Sequence, residues 1–499
     1  MSRARGAWIL TVQTSRRWDW ALVLAIAALG AGGCAVSQTA RRDMAEALSR
    51  YEQRRVQDAN DYAQISAAGS SPEPTSEAHD NQPLESSKSL RDYLLLALER
   101  NPEIKSAEEI ARAKAARVPQ VTALPDPMLM TKTLPEPVRT AEGDSSFVLG
   151  VQQRFPVPEK LDRAGRVALH EARMALETLQ EVRLRVIADV KRAYFRLYVI
   201  DTTIEIDVAN QDLLRGLIDA VRAQVAAGRR SQADVLRAQV ELSTLESKII
   251  ELRQQRQSVT AQLNRLLNRP PAIDVRPPAK FAARGVDLRL DALFAAAEEY
   301  NPDLRHVRQQ LERDREAIEL ARLAYWPDFT IGFEWMQMSG RDAFEPPPNP
   351  QTGMPAPVNR LSEDGSDNWA IIAGLNLPIW FGKIEGGIRA ARRRLLASQH
   401  QYVATQNRVQ FQIEDAYARV RAQQELSALF ESTIIPQARQ AYELSRAGYA
   451  VGKSNFLDVI ENWRLWLAFT VQYHTALGEL ERSVADLEQA LGLSLSEVP

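Results

Sequence analysis

Alternating apolar and polar positions mark four short segments of this chain as predicted β-strands. From Asp328 to Gln337 the aromatic and aliphatic residues occupy every second position, and the positions between them are polar or small. Because successive side chains of a strand point to opposite faces, this period gives one wholly apolar face. The period continues in Trp369–Leu377 and Phe147–Phe155 and is weaker in Leu124–Leu134, where two prolines stand near the start. Strands of about ten residues with this pattern are typical of outer-membrane barrels.

Tryptophans stand near the ends of the predicted strands, as they do at the two surfaces of a bilayer. They are Trp326, Trp335, Trp369 and Trp380. A half-buried sheet in a soluble domain shows the same two-residue period, so the alternation alone leaves both settings open. The N-terminal export signal described below favours the membrane.

Long stretches without proline predict helices far longer than a compact domain needs. Glu159–Arg269 contains no proline, and breaks are expected only near Gly165, Gly216 and Gly228. A helix over 160–227 would be roughly 100 Å long at 1.5 Å per residue. Helices of that length, packed side by side in coiled-coil fashion, suit the wall of a tunnel.

The chain contains two copies of one helix–strand–strand–helix unit. Asn101-Pro102 recurs as Asn301-Pro302, and each pair predicts a helix start with asparagine as the cap and proline first. Other equivalent pairs are Pro156 and Pro378, Ala193-Tyr194 and Ala416-Tyr417, Gly228 and Gly452, and Asp234 and Asp458. The spacing between partners grows and then stays constant, as duplication with loop insertion produces. The copies differ at Pro436, which predicts a kink or two stacked helices in the second.

Composition narrows the possible chemistry. The 499 residues carry a net charge of −2 without a basic stripe, which argues against nucleic acid as a partner. One cysteine excludes an internal disulfide framework, and five dispersed histidines leave little for a zinc-type site, so no metal or other cofactor is predicted. The motifs G-x-S-x-G, P-loop, H-E-x-x-H and paired C-x-x-C are absent from the sequence, so we predict no catalytic residues and no enzyme.

The N-terminus is predicted to be an export signal of the lipoprotein type. Arginines before residue 18 form a positive region, and the apolar run over 21–29 is too short to span a membrane as a helix. Small residues then precede the only cysteine, Cys34, as in a lipobox. We therefore expect Cys34 to become the lipidated first residue, with an ordinary signal peptide and an incidental cysteine as the alternative.

These features divide the chain into six segments. They are a signal peptide (1–33), a polar lipidated tether (34–87), the first repeat (88–268), a proline-rich linker (269–286), the second repeat (287–492) and a C-terminal tail (493–499). The predicted fold is mainly α with a small β part, in which each repeat supplies two strands. The long loop over 339–368 is expected to face outside the cell, and 133–145 is its shorter counterpart.

Four strands are too few for a closed barrel. The smallest transmembrane barrels have about eight, and an open sheet in lipid leaves two edges of unpaired backbone groups, at several kcal/mol each. Two copies would give an interior filled by side chains, whereas three would leave room for a pore. Small or polar inward positions at Gly150, Thr330, Gly332 and Gly374 favour the pore. We therefore predict a homotrimer with a twelve-stranded transmembrane β-barrel and a twelve-helix tunnel.

From Leu90 to Gly492 this arrangement resembles the TolC-type outer-membrane efflux family, in its lipoprotein branch. The duplicated Asn-Pro starts and the helical turns at Gly228 and Gly452 carry the resemblance, and the stretch Tyr449–Ile460 is its most specific part. The resemblance implies a passive exit duct in the outer membrane, lipid-anchored and extended by helices into the periplasm. It also implies a periplasmic adaptor and an inner-membrane pump, of the RND type, as partners.

The resemblance implies roles for residues at the helical tips. Asp458 and Glu461 match acidic positions that ring the closed periplasmic aperture, where carboxylates favour cations. Tyr449 and Asp234 match positions that latch neighbouring helical hairpins. Ser454 departs from the family, which has a basic residue there. The alternative for Asp458 and Glu461 is a plain solvated helix face.

A narrower resemblance is to members that accompany heavy-metal pumps, through Leu124–Leu129 and Phe155–Lys160. Methionines on the predicted strands suggest soft-metal contacts, but packing or a lipid-facing surface is the commoner role for them. They are Met128, Met130, Met336 and Met338. A periplasmic adaptor-like coiled-coil lipoprotein without a pore is the alternative function, and the duplicated unit argues against it.

Overall fold

The computed structural model describes residues 89–140, 143–228, 231–277, 289–340, 351–354 and 365–495, and a few single positions before residue 89. The predicted signal peptide, tether and Cys34 lie outside these ranges. The chain divides into two compact units. The sheet unit contains residues 113–172 and 309–399. The helical unit contains residues 46–112, 173–308 and 400–499.

The first repeat opens with two helices joined at the predicted asparagine. Helix α1 spans Leu90–Arg100 and helix α2 spans Pro102–Thr122. The Asn101 side chain accepts a hydrogen bond from the backbone N–H of Glu103 at 2.8 Å, which caps α2 as predicted. Its amide nitrogen donates to the Leu266 carbonyl at 2.9 Å, so one buried side chain also ties α2 to the end of the repeat.

The long helix of the first repeat is continuous. Helix α3 spans Pro158–Ala226, and helix α4 follows over Gln232–Leu266. The expected breaks at Gly165 and Gly216 are wrong, since α3 runs through both. A glycine inside a helix costs only about 1 kcal/mol relative to alanine, and the neighbouring turns outweigh that penalty.

The second repeat has the same order of elements. Its helices are α5 (Leu290–Tyr300), α6 (Pro302–Arg322), α7 (Phe381–Leu429), α8 (Ile435–Ala450) and α9 (Phe456–Leu491). Asn301 caps α6 through the Leu304 N–H at 3.0 Å and donates to the Ala490 carbonyl at 2.7 Å, as its counterpart does in the first repeat. The interruption predicted from Pro436 is confirmed: a π-helical turn over Phe430–Ile434 separates α7 from α8.

Four antiparallel strands form one sheet in the order β1-β2-β3-β4. They are β1 (Met128–Thr140), β2 (Gly143–Phe155), β3 (Phe329–Ser339) and β4 (Asn368–Leu375). All four predicted strands are present, but the first is displaced. Strand β1 continues to Thr140, so the predicted loop over 133–145 is mostly strand. Its register with β2 shifts between Thr133 and Val138, where prolines at 135 and 137 cannot donate to the ladder.

The predicted apolar face of the sheet is confirmed by the register. Phe329, Phe333 and Trp335 of β3 stand opposite apolar residues of both neighbouring strands. The side chains of Phe329 and Phe333 are exposed, as are those of Ile371 and Trp369 in β4, and that of Trp335 is half-buried. Strands β1 and β4 are the edges of this four-stranded sheet. An exposed apolar face and two edges make the sheet unsuited to water when it stands alone.

The helical unit holds its core between its helices. One apolar cluster joins α1, α3 and α4, and a second joins α3 and α4 to α8 and α9. A third joins α5 to α7 and the last turns of α9. Among the residues that the structure describes, no helix combines the length and apolarity needed to cross a bilayer.

Candidate functional site

Two helical hairpins of the helical unit end in glycine turns. Gly228 follows α3 with φ 70°, and Gly452 follows α8 with φ 80°, in the left-handed region that glycine adopts without a steric penalty. Ser231 then caps α4 by accepting a hydrogen bond from the Ala233 N–H at 3.1 Å. Asp234 follows in the first turn of α4 and is partly exposed.

The α8–α9 turn is closed by backbone and capping bonds. The N–H of Lys453 donates to the Gly448 carbonyl at 2.8 Å, and that of Ser454 donates to the same carbonyl at 3.3 Å. Asn455 and Asp458 form a capping box, in which the Asp458 carboxylate accepts the Asn455 N–H at 3.1 Å. The turn is tight, because a Cβ added at Gly448 would lie 2.3 Å from the Ser454 hydroxyl oxygen.

The predicted aperture residues lie together at the start of α9. Asp458 and Glu461 are both exposed on one face, while Val459 and Trp463 are buried on the other. Within the described ranges, no cationic group lies within ion-pair distance of either carboxylate. The start of α9 therefore exposes two neighbouring negative charges, and Asp458 also caps the helix.

The two predicted latch residues belong to the same end of the helical unit. Tyr449 is buried against Phe456, with ring centroids 5.6 Å apart. Its apolar cluster includes Val235, the neighbour of Asp234 in α4. The two hairpins therefore meet where the latch was predicted, and a direct bond between the two side chains stays a prediction.

The structure brings together two contacts between the hairpins that the sequence analysis missed. The indole N–H of Trp463 in α9 donates to the Asn210 side-chain oxygen in α3 at 2.9 Å. The next residue, Arg464, pairs with Glu241 of α4 at 2.8 Å. We call these two contacts the hairpin link. The sequence carries a signal only for the buried tryptophan, because partners on other helices leave no local pattern.

The polar face of the sheet carries the methionines. Met128 and Met130 stand opposite Gln152 and Gly150, and the register puts Met336 on the same face, opposite Val148. Met338 belongs to this face as well, and its buried side chain has a packing role. The other three also lie on the face opposite the apolar one. The side chain of Glu334 bends over Gly150 on this face, with its Cγ 3.0 Å from where a Cβ would stand.

A buried carboxylate fixes the base of the sheet. Asp328 accepts hydrogen bonds from Arg154 at the end of β2 and, at 2.7 Å, from Lys160 in the first turn of α3. Its own N–H donates to the side chain of Asn376, just after β4. The start of β3 is thus tied to both neighbouring strands and to a helix.

The helical unit also buries titratable pairs. Lys191 of α3 and Glu488 of α9 form an ion pair with both side chains 4% exposed. Tyr198 hydrogen-bonds Nδ1 of His474 at 2.9 Å, and burial lowers the pKa of His474. Burial raises the pKa of Asp207, although the Lys248 ammonium, 3.0 Å away, opposes that shift. These pairs lie between helices and hold the bundle together rather than lining an open surface.

Sequence comparison identifies a family for both repeats. Residues 94–269 and 293–493 match the profile of the family described as outer membrane efflux protein. A relative, the cobalt-zinc-cadmium resistance protein CzcC of Cupriavidus metallidurans, is 23% identical over 417 residues, which cover 81% of this chain and 90% of that protein.

Solved structures share the fold. The outer membrane protein VceC of Vibrio cholerae superposes with a TM-score of 0.66 at 19% identity, covering 81% of this chain and 96% of that one. The open state of the Neisseria gonorrhoeae MtrE outer membrane channel gives a TM-score of 0.65 at 18% identity, covering 85% and 98%. At these identities the likeness concerns the fold alone.

Proposed function

The chain belongs to the outer membrane efflux protein family, and we propose that three copies of it form the passive exit duct of a tripartite efflux system. The observation that carries this proposal is the open sheet. Its four strands have an exposed apolar face and two edges, β1 and β4. In hydrocarbon each unpaired backbone group on an edge costs several kcal/mol. Pairing β4 of one copy with β1 of the next removes every edge when the ring closes.

Three copies rather than two suit the polar face of the sheet. Gly150, Gly332 and Gly374 add no side chain of their own to this face, and an eight-stranded barrel would have room only for packed side chains. A twelve-stranded barrel leaves a lumen, and the helices of three copies would continue it as a tunnel. The duct performs no catalysis; energy comes from an inner-membrane pump, expected to be of the RND type, through a periplasmic adaptor. A pore-free adaptor is set aside, because the family is one of outer-membrane proteins.

At the membrane end, we propose that Cys34 is acylated and anchors the mature chain in the outer membrane. A multiply acylated terminus adds about 0.8 kcal/mol per buried methylene to membrane binding. Cys34→Ser should abolish palmitate labelling of the exported protein, and unchanged labelling would remove the anchor from the proposal. At the other end, the turns at Gly228 and Gly452 would point into the periplasm.

The cargo we propose is heavy-metal cations. A relative named for resistance to cobalt, zinc and cadmium supports this class. The exposed carboxylates of Asp458 and Glu461 support cations over anions at the helical tips. In a strain deprived of its own duct, the intact chain should restore growth in cadmium or zinc. Restored resistance to organic toxicants but not to these metals would contradict the proposed cargo, and the proposal of an exit duct would stand.

The pore is tested by conductance in planar bilayers. Asp458→Asn with Glu461→Gln removes both charges while asparagine keeps a capping acceptor, so the helix start is preserved. Cation selectivity should fall severalfold in this variant. The matched control is Glu443→Gln, which removes an exposed carboxylate from α8, away from the turn. Absence of any conductance in the intact trimer would refute the proposed duct. Unchanged selectivity in the double variant would refute only the assignment of Asp458 and Glu461 to the aperture.

A further inference from the structure

The first turns of α7 carry an exposed group of cations that the proposed duct does not use. We call it the basic patch; it comprises Lys383, Arg389, Arg392, Arg393 and Arg394, all exposed. Ile384 and Ile388 are buried on the other side of this helix. Within the described part of the chain, no carboxylate lies within ion-pair distance of the last three arginines. Arg389 has only a 3.7 Å contact with the exposed Glu385.

The matching stretch of the first repeat is neutralised within the chain. At the start of α3, Lys160 pairs with Asp328 at 2.7 Å, and Arg163 pairs with Glu316 at 2.8 Å. Arg166 pairs with an acidic residue one turn earlier in α3, at 3.0 Å. At the register of Pro156 and Pro378, the positions that match the four arginines are Val167, His170, Glu171 and Ala172, so these cations are particular to the second repeat. Their exposed guanidinium groups can pair with an anion outside this chain.

An exposed apolar segment leads directly into the basic patch. Between β4 and the second turn of α7, Leu377, Ile379, Trp380 and Phe381 have 59% or more of their surface exposed. This segment continues the apolar face of β4, where Ile371 is 68% exposed. Apolar and aromatic side chains followed by cations are the arrangement found where a protein crosses from hydrocarbon to headgroups.

The spacing lets the cations reach headgroups. Helical side chains tilt toward the N-terminus of their helix, here toward Phe381 and the sheet. At 1.5 Å per residue the Cα of Arg389 lies about 12 Å beyond Phe381 along α7, and a headgroup layer is roughly 5–8 Å thick on each side of the bilayer. Lys383 and the long side chain of Arg389 therefore reach the layer. The three remaining arginines act on it across about one Debye length, ~8 Å at physiological salt.

A neighbouring copy is a poorer source of counter-charge. In a ring that pairs β4 with β1, α7 faces the helix that precedes β1 of the next copy. Within the sheet unit that stretch, residues 113–122, has no acidic residue, and its Lys114 and Arg117 already pair with Glu171 of their own chain at 3.8 and 3.1 Å. It therefore offers no carboxylate to α7, whereas an anionic surface at the end of the apolar segment would supply counter-charge.

We propose that the basic patch binds the headgroup of an anionic phospholipid in the periplasmic leaflet of the outer membrane, with the acyl chains lying on the apolar segment. This inference rests on the proposed function, because it needs the sheet to lie in a bilayer. Membranes attract cations of this kind electrostatically, by roughly fivefold in binding constant for each one near the surface. The contact would fix the depth of each subunit in the leaflet and select its lipid neighbours.

Trp380, 73% exposed, is a built-in reporter. The full-length protein is reconstituted in two lipid mixtures. One contains phosphatidylcholine and brominated phosphatidylglycerol, and the other contains brominated phosphatidylcholine and phosphatidylglycerol. The difference in fluorescence quenching between the intact protein and Trp380→Phe isolates the signal of this residue. We expect the anionic lipid to be preferred about fivefold at Trp380. The preference should fall toward one when all four arginines of the patch are changed to glutamine, with Lys383 accounting for what remains, and it should weaken in high salt.

The control carries Arg163→Gln and Arg166→Gln, which remove paired cations at the equivalent place and should leave the preference unchanged. Equal quenching by both lipids in the intact protein would overturn the proposal, as would a full preference in the four-arginine variant. If that variant no longer forms trimers in native mass spectrometry, the patch is a subunit contact instead. Failure of the intact protein to form inserted trimers would overturn the proposed duct, a result distinct from an inserted trimer without lipid preference.

Discussion

The hairpin link gives a sharp prediction about opening of the tip. Trp463→Phe keeps an aromatic ring in the core but removes the hydrogen bond to Asn210. Arg464→Gln removes the ion pair with Glu241, in which the arginine is 59% and the glutamate 15% exposed. A partly buried hydrogen bond contributes about 1 kcal/mol, and an ion pair this exposed about 0.5 kcal/mol. The loss of these two contacts weakens the link by about 1.5 kcal/mol in each subunit, and the space left by the smaller phenylalanine ring in the core adds to it.

The measurable consequence is the fraction of time that the pore conducts. If the mouth opens by moving the α8–α9 hairpin away from α3 and α4, about 1.5 kcal/mol corresponds to roughly a twelvefold rise in open probability per subunit. If three subunits open together, the rise is on the order of a thousandfold. Single-channel recording distinguishes the two cases, because independent subunits give intermediate conductance levels.

A matched control separates gating from stability. Arg439→Gln breaks an ion pair with Glu443 inside α8 at 2.9 Å, with both partners more than half exposed, and joins no second helix. It should leave the open probability unchanged. If the double variant melts at a lower temperature yet conducts like the intact protein, the link holds helices together without restraining the mouth, and the reasoning fails.

Three further predictions concern His474, the Lys191–Glu488 pair and Gly448. Burial lowers the pKa of His474, so the unfolded chain takes up a proton near pH 6.5 while the folded chain resists it; the melting temperature should fall from pH 7.5 to 5.5, less so in His474→Gln. Lys191→Met leaves the Glu488 carboxylate without its cation and should destabilise the protein by about 3–5 kcal/mol. Adding Glu488→Leu should restore most of this stability in thermal unfolding, and equal losses in the single and double variants would contradict the prediction. Gly448→Ala clashes with Ser454, and Ser454→Gly should relieve the loss of melting temperature that it causes.

Much of the fold could be predicted because its signals are local. The two-residue period gives the apolar face of β3 whatever its neighbours are, and the cap at Asn101 needs only the next three residues. The end of β1 could not be predicted, because prolines at 135 and 137 suggest a loop, and only pairing with β2 keeps the strand extended. Tertiary pairing there overrides local preference.

The tip residues divide in the same way. A turn at Gly452 and the exposure of Asp458 follow from residues within one helical turn. The hydrogen bond from Trp463 to Asn210 joins residues 253 positions apart, and the sequence around either residue does not predict its partner. The bond from the Asn455 N–H to the Asp458 carboxylate was missed, although a cap residue followed three positions later by an acidic one is a local signal for it.

The π-helical turn before Pro436 records how the two repeats diverged. Tyr194 matches Tyr417, but Gly228 matches Gly452, so the second copy gained one residue between these landmarks. The turn over Phe430–Ile434 lies in that interval. An extra residue in an α-helix would rotate everything after it by about 100°, but a widened turn absorbs it locally. The inserted residue was therefore accommodated as a local π-bulge and did not rotate the rest of the helix. After the gene duplication, the helical tips of the two repeats kept the same orientation of their side chains.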